Sequence, residues 1–202
     1  MTSEDAMTSH ETAARPRRQR RHDPDRPQRI AEVVEELIAE RGIEGLSHRA
    51  IAERADVSLS STTYHYKDRE ALIRVGLQRT VDRFAAYMRE WAAEHAGDTP
   101  EELADALADA VVATATGPGR IGAVVEYELY VAALRRPGLR DLAARDTSGT
   151  IEALTPLVGP VRAAALQAAM NGLCLQSMAA PTPPDRAEIR AVLGLILGVS
   201  PA

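Results

Sequence analysis

Residues 46–72, with the sequence LSHRAIAERADVSLSSTTYHYKDREAL, decide the fold of this chain. Ser47 has the chemistry of an N-cap and predicts a short helix over residues 48–54. By the same argument, Ser58 predicts a second short helix that reaches about residue 65. Two short helices joined by a tight turn are the signature of a helix-turn-helix, so we expect this motif near the N-terminus.

The second of these helices has an unusual composition for a structural helix. Residues 58–66 contain five serines and threonines, whose hydroxyl groups compete for backbone hydrogen bonds and make them mediocre helix formers. The same side chains are short enough for close approach to DNA, and they can bond phosphates or base edges. We therefore expect this segment to be a recognition helix that lies in a major groove.

Helical patterns extend from the motif in both directions. Upstream, a helix is predicted over residues 29–41, and Gly42 is expected to end it as a left-handed cap. Downstream, Asp68 is suited to cap a long fourth helix over residues 69–94. The first helix has one apolar face, formed by Ile30, Val33, Val34, Leu37 and Ile38.

The rest of the chain also has helical periodicity, interrupted by glycine and proline. No segment alternates like a strand, so the predicted fold is all-α, with about nine helices. We expect a disordered basic arm over residues 1–28, a three-helix DNA-binding head over residues 29–74, and a ligand-binding and dimerisation domain over residues 75–202. The predicted C-terminal helices cover residues 100–114, 121–135, 139–154, 160–179 and 185–197.

Charge is distributed unevenly along the chain. The 202 residues have a formal net charge of −5, yet residues 15–74 contain 13 basic and 11 acidic side chains. This bias permits DNA binding without proving it. The basic cluster at residues 15–21 either follows the DNA backbone or a minor groove, or is a solvated tail, and both alternatives stay open.

The sequence disfavours several other classes of protein. The single cysteine, Cys174, lies in an apolar run and is predicted to be a core residue, which fits a reducing cytoplasm. No stretch has the length and apolarity of a membrane span or a signal peptide, so we expect a cytoplasmic protein. No glycine-rich phosphate loop or metal-ligand spacing appears, so we expect no enzyme activity, no cofactor and no metal site.

Residues 29–72 contain the following segments in order: Arg29-Ile30-Ala31, Leu37-Ile38-Ala39-Glu40-Arg41-Gly42, Leu46-Ser47, Ile51-Ala52, Ala55-Asp56-Val57-Ser58 and Thr63-Tyr64-His65-Tyr66-Lys67-Asp68-Arg69-Glu70-Ala71-Leu72. Their order and spacing resemble the DNA-binding domain of the TetR family of regulators. The resemblance implies a dimer that reads DNA and whose C-terminal domain encloses a ligand cavity. The C-terminal two-thirds of the chain resemble the family only in helix pattern and length.

The resemblance also implies individual DNA contacts. The corresponding family positions lie at the start of the second helix, on the recognition helix and at the start of the fourth helix. A helix N-terminus combined with a cation attracts phosphate, which makes this placement physically sensible. The implied DNA-binding residues are Ser47, Arg49, Ser58, Leu59, Ser60, Ser61, Thr62, Tyr64 and His65, with Lys67 or Arg69 as the cation.

Some positions in the motif leave alternatives open. Asp56 stands where the family usually has glycine, and aspartate tolerates a left-handed conformation better than most other residues. Leu59 either contacts a thymine methyl group or packs on the helix pair. Tyr64 could be partly in the core, with its hydroxyl group reaching a phosphate. His48 and His65 are interpreted as surface or capping residues rather than as metal ligands.

An apolar stripe runs along the predicted fourth helix and includes Phe84, Met88 and Trp91. Core packing explains most of this stripe. Part of it could also line a ligand cavity, because these side chains make adaptable apolar walls. The scarcity of aromatic residues in the whole chain argues mildly against a cavity built for large flat molecules.

Polar residues interrupt two of the later helices. Glu126, Tyr127 and Tyr130 either orient a polar group of a ligand or form a solvated acidic face with half-buried tyrosines. Asn171 either contacts the ligand or bonds across a dimer interface.

The last two predicted helices are rich in alanine, leucine and other small or apolar residues. Such faces suit a four-helix bundle formed by two copies, and the resemblance implies that these helices form a homodimer interface. We expect a repressor that binds a palindromic double-stranded DNA operator and is released by a small-molecule effector of unknown identity. The alternative is an activator or a ligand-independent DNA-binding protein of the same fold.

Overall fold

The computed structural model describes residues 24–199, so most of the predicted basic arm lies outside the described part of the chain. The all-α prediction is confirmed, since the described residues form nine α-helices and two short 3-10 segments, with no strand among them. The helices are α1 (Arg26–Arg41), α2 (His48–Arg54), α3 (Leu59–His65), α4 (Arg69–Glu94), α5 (Pro100–Thr116), α6 (Arg120–Arg135), α7 (Arg140–Val158), α8 (Pro160–Ala179) and α9 (Arg186–Leu197), and the 3-10 segments are Ile43–Gly45 and Pro137–Leu139.

Side-chain caps start the helices of the DNA-binding motif where the sequence predicts them. Ser47, Ser58 and Asp68 accept hydrogen bonds from the backbone N–H groups three residues later, at the starts of α2, α3 and α4. These bonds satisfy backbone donors that have no partner within the helix. The bounds of these short helices are therefore set by local chemistry.

Two helix bounds differ from the predictions by more than two residues. Helix α1 begins at Arg26, three residues early, because Pro27 lies in its first turn and has a backbone angle already suited to a helix. Residues 26–28, which the sequence analysis assigns to the basic arm, therefore form the first turn of α1. Helix α7 continues through Pro156 to Val158, where the apolar pattern alone predicted an end near residue 154.

Two turns within the DNA-binding head have positive φ angles. Gly42 has φ 69° and ψ 172°, a conformation that is essentially restricted to glycine and differs from the predicted left-handed helical one. Its N–H still donates to the carbonyl oxygen of Ile38. Asp56, between α2 and α3, has φ 51° and takes the left-handed conformation that glycine usually supplies at this turn.

The molecule has two hydrophobic cores joined along α4. The first packs α1, α2 and the first half of α4 against α6, which contributes Val125 and Leu129. The second packs the later part of α4 against α5, α8 and α9, around Leu107 and Leu166. The predicted domain boundary at residue 74 falls inside α4, so one rigid helix links both cores. We refer to α1–α3 as the head and to α5–α9 as the C-terminal domain.

Candidate DNA-binding surface and ligand cavity

The outer face of α3 is formed by residues three and four positions apart. Leu59 is 52% exposed and Tyr64 is 85% exposed, and Ser60 and Thr63 are also exposed. The exposure of Leu59 contradicts the alternative that it packs on the helix pair. The exposure of Tyr64 contradicts the alternative that it lies partly in the core. Thr63, which the sequence analysis missed, shares this face because it follows Leu59 by one helical turn.

Thr62 lies on the opposite face of α3 and is fully buried, so the prediction that it contacts DNA is wrong. Its hydroxyl group donates to the carbonyl oxygen of Leu59 and lies 3.2 Å from Nδ1 of His48 on α2. Thr62 therefore holds the recognition helix against α2. Ser61 is half-buried, and its Oγ lies 2.8 Å from Oγ of the capping residue Ser58.

The basic side chains around the motif fall into two groups. Arg49 and Lys67 are exposed and make no ion pair within residues 24–199. Arg69 instead donates to the carbonyl oxygens of Ile43 and Leu46, at 2.7 and 3.0 Å. These bonds hold the turn before α2 and favour Lys67 over Arg69 as the phosphate cation.

The remaining predicted residues of the motif are accessible. The Ser47 hydroxyl accepts the N–H of Ala50 and is at the surface. His65 is exposed, and its ring lies edge-on to Tyr64, with 5.1 Å between the ring centroids. No group of residues within 24–199 has the arrangement of a metal site.

An internal cavity of about 50 Å³ lies in the C-terminal domain between α4, α5, α6 and α8. The structure brings six of the seven predicted ligand residues to its wall. These are Phe84, Met88, Trp91, Glu126, Tyr127 and Asn171. Tyr130 lies behind the wall, where its hydroxyl group is 3.5 Å from Nδ2 of Asn171.

Aromatic side chains are concentrated around this cavity. The chain contains seven aromatic residues, and four of them, Phe84, Tyr87, Trp91 and Tyr127, line the cavity. Phe84 and Tyr87 stack with 6.2 Å between ring centroids. The argument from overall composition against flat ligands therefore fails, because the average hides this local concentration. Cys174 is buried, as predicted, and also lies at the cavity wall.

The cavity adjoins a cleft of about 830 Å³ between α1, α4 and α6. Phe84, Tyr87 and Glu126 line both spaces. The cleft wall on the side of the head contains Glu35 of α1, which is buried and ion-paired with Arg79 and Arg83 of α4. Because the internal cavity holds little more than one or two water molecules, a larger ligand must extend into the cleft or move the aromatic side chains.

Glu126 is only 9% exposed, which contradicts the interpretation of a solvated acidic face. Asp146 on α7, a second buried carboxyl group that sequence reasoning missed, lies close enough to interact with it electrostatically. Burial, reinforced by the charge of Asp146, raises the pKa of Glu126 well above its usual range. The Tyr130 hydroxyl group donates to Oδ2 of Asp146 at 2.7 Å. The cavity therefore has one polar wall among apolar ones.

The outer faces of α8 and α9 expose large apolar side chains. Val161 is 81% exposed and Leu195 is 65% exposed, and Leu175 and Val192 are also accessible. Other apolar residues of these helices, such as Leu166, are buried inside the protomer. No helix within the described residues has both the length and the apolarity needed to cross a membrane.

The family described as "Bacterial regulatory proteins, tetR family" matches residues 30–75, and "Tetracyclin repressor-like, C-terminal domain" matches residues 98–199. No curated protein matches the chain in sequence.

Several solved structures are similar to the whole molecule. SCO7518 from Streptomyces coelicolor A3(2) is 34% identical, with a TM-score of 0.77, over 86% of this chain and 99% of its own. SCO1917, a TetR family member from Streptomyces coelicolor A3, is 39% identical, with a TM-score of 0.72, over 86% and 98%. The multidrug binding protein EbrR in complex with ethidium is 39% identical, with a TM-score of 0.72, over 85% and 98%.

Proposed function

The chain belongs to the TetR family of bacterial regulatory proteins, and we propose on this premise that it is a dimeric repressor which an aromatic cation releases from a palindromic operator. One observation carries the proposal. Helix α4 begins beside the exposed recognition helix and ends at an aromatic cavity with a carboxyl group in its wall. A ligand in the cavity therefore contacts the helix on which the head is mounted.

The DNA side of the proposal rests on the exposed face of α3. Ser60, Thr63 and Tyr64 offer hydroxyl groups, and Leu59 offers an apolar contact for a thymine methyl group. Arg49 and Lys67 flank this face and supply positive charge for phosphates. In this assignment α3 reads base edges, while Lys67 and the start of α4 position it on the DNA backbone.

The dimer rests on the exposed apolar side chains of α8 and α9. A recognition helix of seven residues reads too few base pairs for specificity, so two heads are needed. Packing α8 and α9 against the same helices of a second copy would bury Val161 and Leu195 and form a four-helix bundle. A twofold axis at this bundle makes the operator palindromic.

The class of ligand rests on the cavity and on one group of relatives. EbrR has been solved with ethidium, proflavin and malachite green, which are aromatic cations. In this chain, four aromatic rings offer stacking surfaces, and Glu126 offers the counter-charge.

Release requires that the ligand bind one conformation more tightly than the other. The internal cavity is too small for a dye-sized molecule as it stands, so binding must displace α4 or α6 or the side chains on them. We assign the closed cavity to the DNA-binding conformation and a widened cavity to the released one. The ligand can weaken operator binding by no more than the difference in its own binding free energy between these two conformations.

The proposal is tested by selecting random duplex DNA with the purified full chain and measuring affinity for the recovered site with and without tetraphenylphosphonium. This aromatic cation is permanently charged and does not intercalate, so it leaves the duplex itself unchanged. We expect half-sites separated by about one helical turn and weaker binding in the presence of the cation. Stronger operator binding in the presence of the cation would instead indicate that the ligand promotes DNA binding. An unchanged affinity would indicate a ligand-independent DNA-binding protein.

A further inference from the structure

Glu126 of α6 and Asp146 of α7 are two neighbouring buried carboxyl groups in the interior of the C-terminal domain. Their exposed fractions are 9% and 4%. Neither is ion-paired within the described residues, and Arg79 and Arg83, which line the cleft, are bound to Glu35. Two adjacent carboxylates repel strongly in an interior of low dielectric constant, so the pair retains a proton.

The hydrogen bonds around the pair assign this proton to Glu126. Oδ2 of Asp146 accepts the Tyr130 hydroxyl group at 2.7 Å, which stabilises the charged form of Asp146. Burial raises the pKa of both carboxyl groups, but the hydrogen bond from Tyr130 opposes the rise only at Asp146. Glu126 is therefore the uncharged acid, and it is also the member of the pair that lines the cavity.

The other groups that face the pair are neutral or already paired. Burial raises the pKa of the two neighbouring tyrosines on α6 and of the thiol on α8, so all three stay uncharged near neutral pH. Glu35 of α1 and the two arginines of α4 neutralise one another at the cleft. The groups that face the pair are Tyr127 and Tyr130 from α6, Thr147 from α7, Asn171 and Cys174 from α8, and, at the cleft, Glu35, Arg79 and Arg83.

We infer that the Glu126–Asp146 pair is a proton-exchange site, at which an aromatic cation in the cavity takes the place of the Glu126 proton. The inference rests on the ligand class given above under the proposed function. The O–H bond of Glu126 breaks, the proton passes to solvent, and the carboxylate that remains faces the cation. The pair then has two negative charges and the ligand one positive charge, so the net charge of the buried site does not change.

An uncharged ligand of the same shape leaves the proton on Glu126. The site then presents a neutral acid, which costs little to bury beside an aromatic surface. The pair therefore lets one cavity accept both neutral and cationic aromatic molecules. It also makes the affinity for cationic ligands, but not for neutral ones, depend on pH.

The test is calorimetric titration of the full chain with ethidium between about pH 6 and pH 9, in pairs of buffers with different ionisation enthalpies. Ethidium has a fixed charge, so a proton that reaches the buffer comes from the protein. We expect release approaching one proton per ethidium, and an affinity that rises by up to about tenfold per pH unit below the pKa of Glu126. An uncharged analogue, 6-phenylphenanthridine, is expected to bind with no pH dependence.

Two variants identify the group that releases the proton. Glu126→Gln keeps the shape of the side chain and is expected to abolish both the proton release and the pH dependence. Glu152→Gln, on the exposed face of α7, is the matched control and is expected to retain both.

The possible failures can be told apart. Ethidium binding without proton release, or a pH dependence that persists in Glu126→Gln, overturns the exchange site and leaves the proposed function standing. Absence of binding by both ethidium and the uncharged analogue overturns the proposed ligand class and the exchange site with it. The DNA selection described above tests the regulator independently of either result.

Discussion

The carboxylate of Glu128 on α6 accepts a hydrogen bond from the backbone N–H of Ile43, with 3.4 Å between the nitrogen and Oε2. Ile43 belongs to the turn that joins α1 to α2. Arg136, which directly follows the last residue of α6, is ion-paired with Glu44 of this turn, at 2.7 Å, and with Glu70 at the start of α4. One face of α6 thus lines the cavity, while Glu128 and Arg136 at another face bind the head.

Removing the contacts of Glu128 and Arg136 with the head is expected to weaken the effect of ligand on operator binding. The separate affinities for operator and for ligand are expected to stay the same. In the double variant Glu128→Ala Arg136→Ala, we expect the affinities for operator alone and for tetraphenylphosphonium alone to change little. Coupling between sites is typically about 1–3 kcal/mol, and the double variant is expected to lose about 0.5–2 kcal/mol of it. The measurement is operator affinity with and without saturating cation.

Arg145→Ala is the matched control for this experiment. Arg145 pairs with Asp82 and so joins α7 to α4 at the surface without contacting the head. Its removal is expected to leave the response intact. An unchanged response in the double variant would mean that α4 alone transmits the signal.

Local chemistry explains which parts of the fold were predictable from sequence. The caps at Ser47, Ser58 and Asp68 depend on residues three positions apart, so the sequence contains all the necessary information. The stripe that places Phe84 and Met88 at the cavity follows from helical periodicity in the same way.

The missed features depend on contacts between distant segments. Thr62 is chemically equivalent to its neighbours, and only the packing of α3 on α2 makes it the buried member. Tyr130 was placed at the cavity because it shares a helix face with Glu126, yet its hydroxyl group turns to Asp146. Nothing in the sequence near Asp146 indicates that its partner lies on α6.

Close packing between α1 and α4 makes Gly76 a sensitive position. A Cβ atom there would lie 2.5 Å from Cγ1 of Val34, a fully buried side chain, and 3.3 Å from the backbone nitrogen of Glu35. Alanine gains about 1 kcal/mol of helix propensity over glycine, but this overlap is expected to outweigh it. We expect Gly76→Ala to lower the free energy of unfolding by about 1–3 kcal/mol in denaturant titrations.

Gly97→Ala is the matched substitution, since no neighbouring atom lies within 4 Å of a Cβ built there. It is expected to leave stability nearly unchanged. A stabilised Gly76→Ala protein would show that α1 and α4 are less tightly packed than the structure indicates.

The raised pKa of Glu126 predicts how stability depends on pH in the absence of ligand. Folding favours the protonated acid, so this contribution is fully present below the unfolded-state pKa, near 4.5, and is lost as pH rises through the folded-state pKa. Glu126→Gln cannot ionise and escapes this loss. We expect the variant to gain stability relative to the parent as pH rises, by about 1.4 kcal/mol for each pH unit between the two pKa values.

Denaturant unfolding at about pH 5 and pH 8 measures this difference, with Glu152→Gln as the control. The two variants should respond differently to pH, because Glu152 is exposed and Glu126 is buried. Parallel pH profiles for the parent and Glu126→Gln would show that Glu126 is ionised in the folded protein.

Substitutions at the exposed residues of the motif are expected to separate positioning from reading. Lys67→Ala should weaken binding to all DNA sequences and reduce the salt dependence by about one counterion per head. Leu59→Ala should instead change the preferred base at one position of each half-site, at a cost of about 1–3 kcal/mol. Both effects are measured by repeating the DNA selection and the affinity measurements at two salt concentrations.

Thr62→Val is the contrasting substitution in α3. It removes the hydroxyl group that bonds His48 and the Leu59 carbonyl, so we expect it to destabilise the head and not to alter the base preference. A changed base preference in Thr62→Val would indicate that Thr62 contacts DNA.

The exposed apolar face of α8 and α9 predicts how the dimer can be broken. Leu195→Arg places a charge on a side chain that is already 65% exposed in the protomer, so the protomer should fold normally. Burial of an unpaired charge at the proposed interface is costly, and we expect monomers in analytical ultracentrifugation and a loss of tight operator binding. Leu134→Arg, at a leucine of α6 that is 77% exposed, is the matched control and is expected to remain dimeric. Monomers from Leu134→Arg and dimers from Leu195→Arg would move the interface from the last two helices to α6.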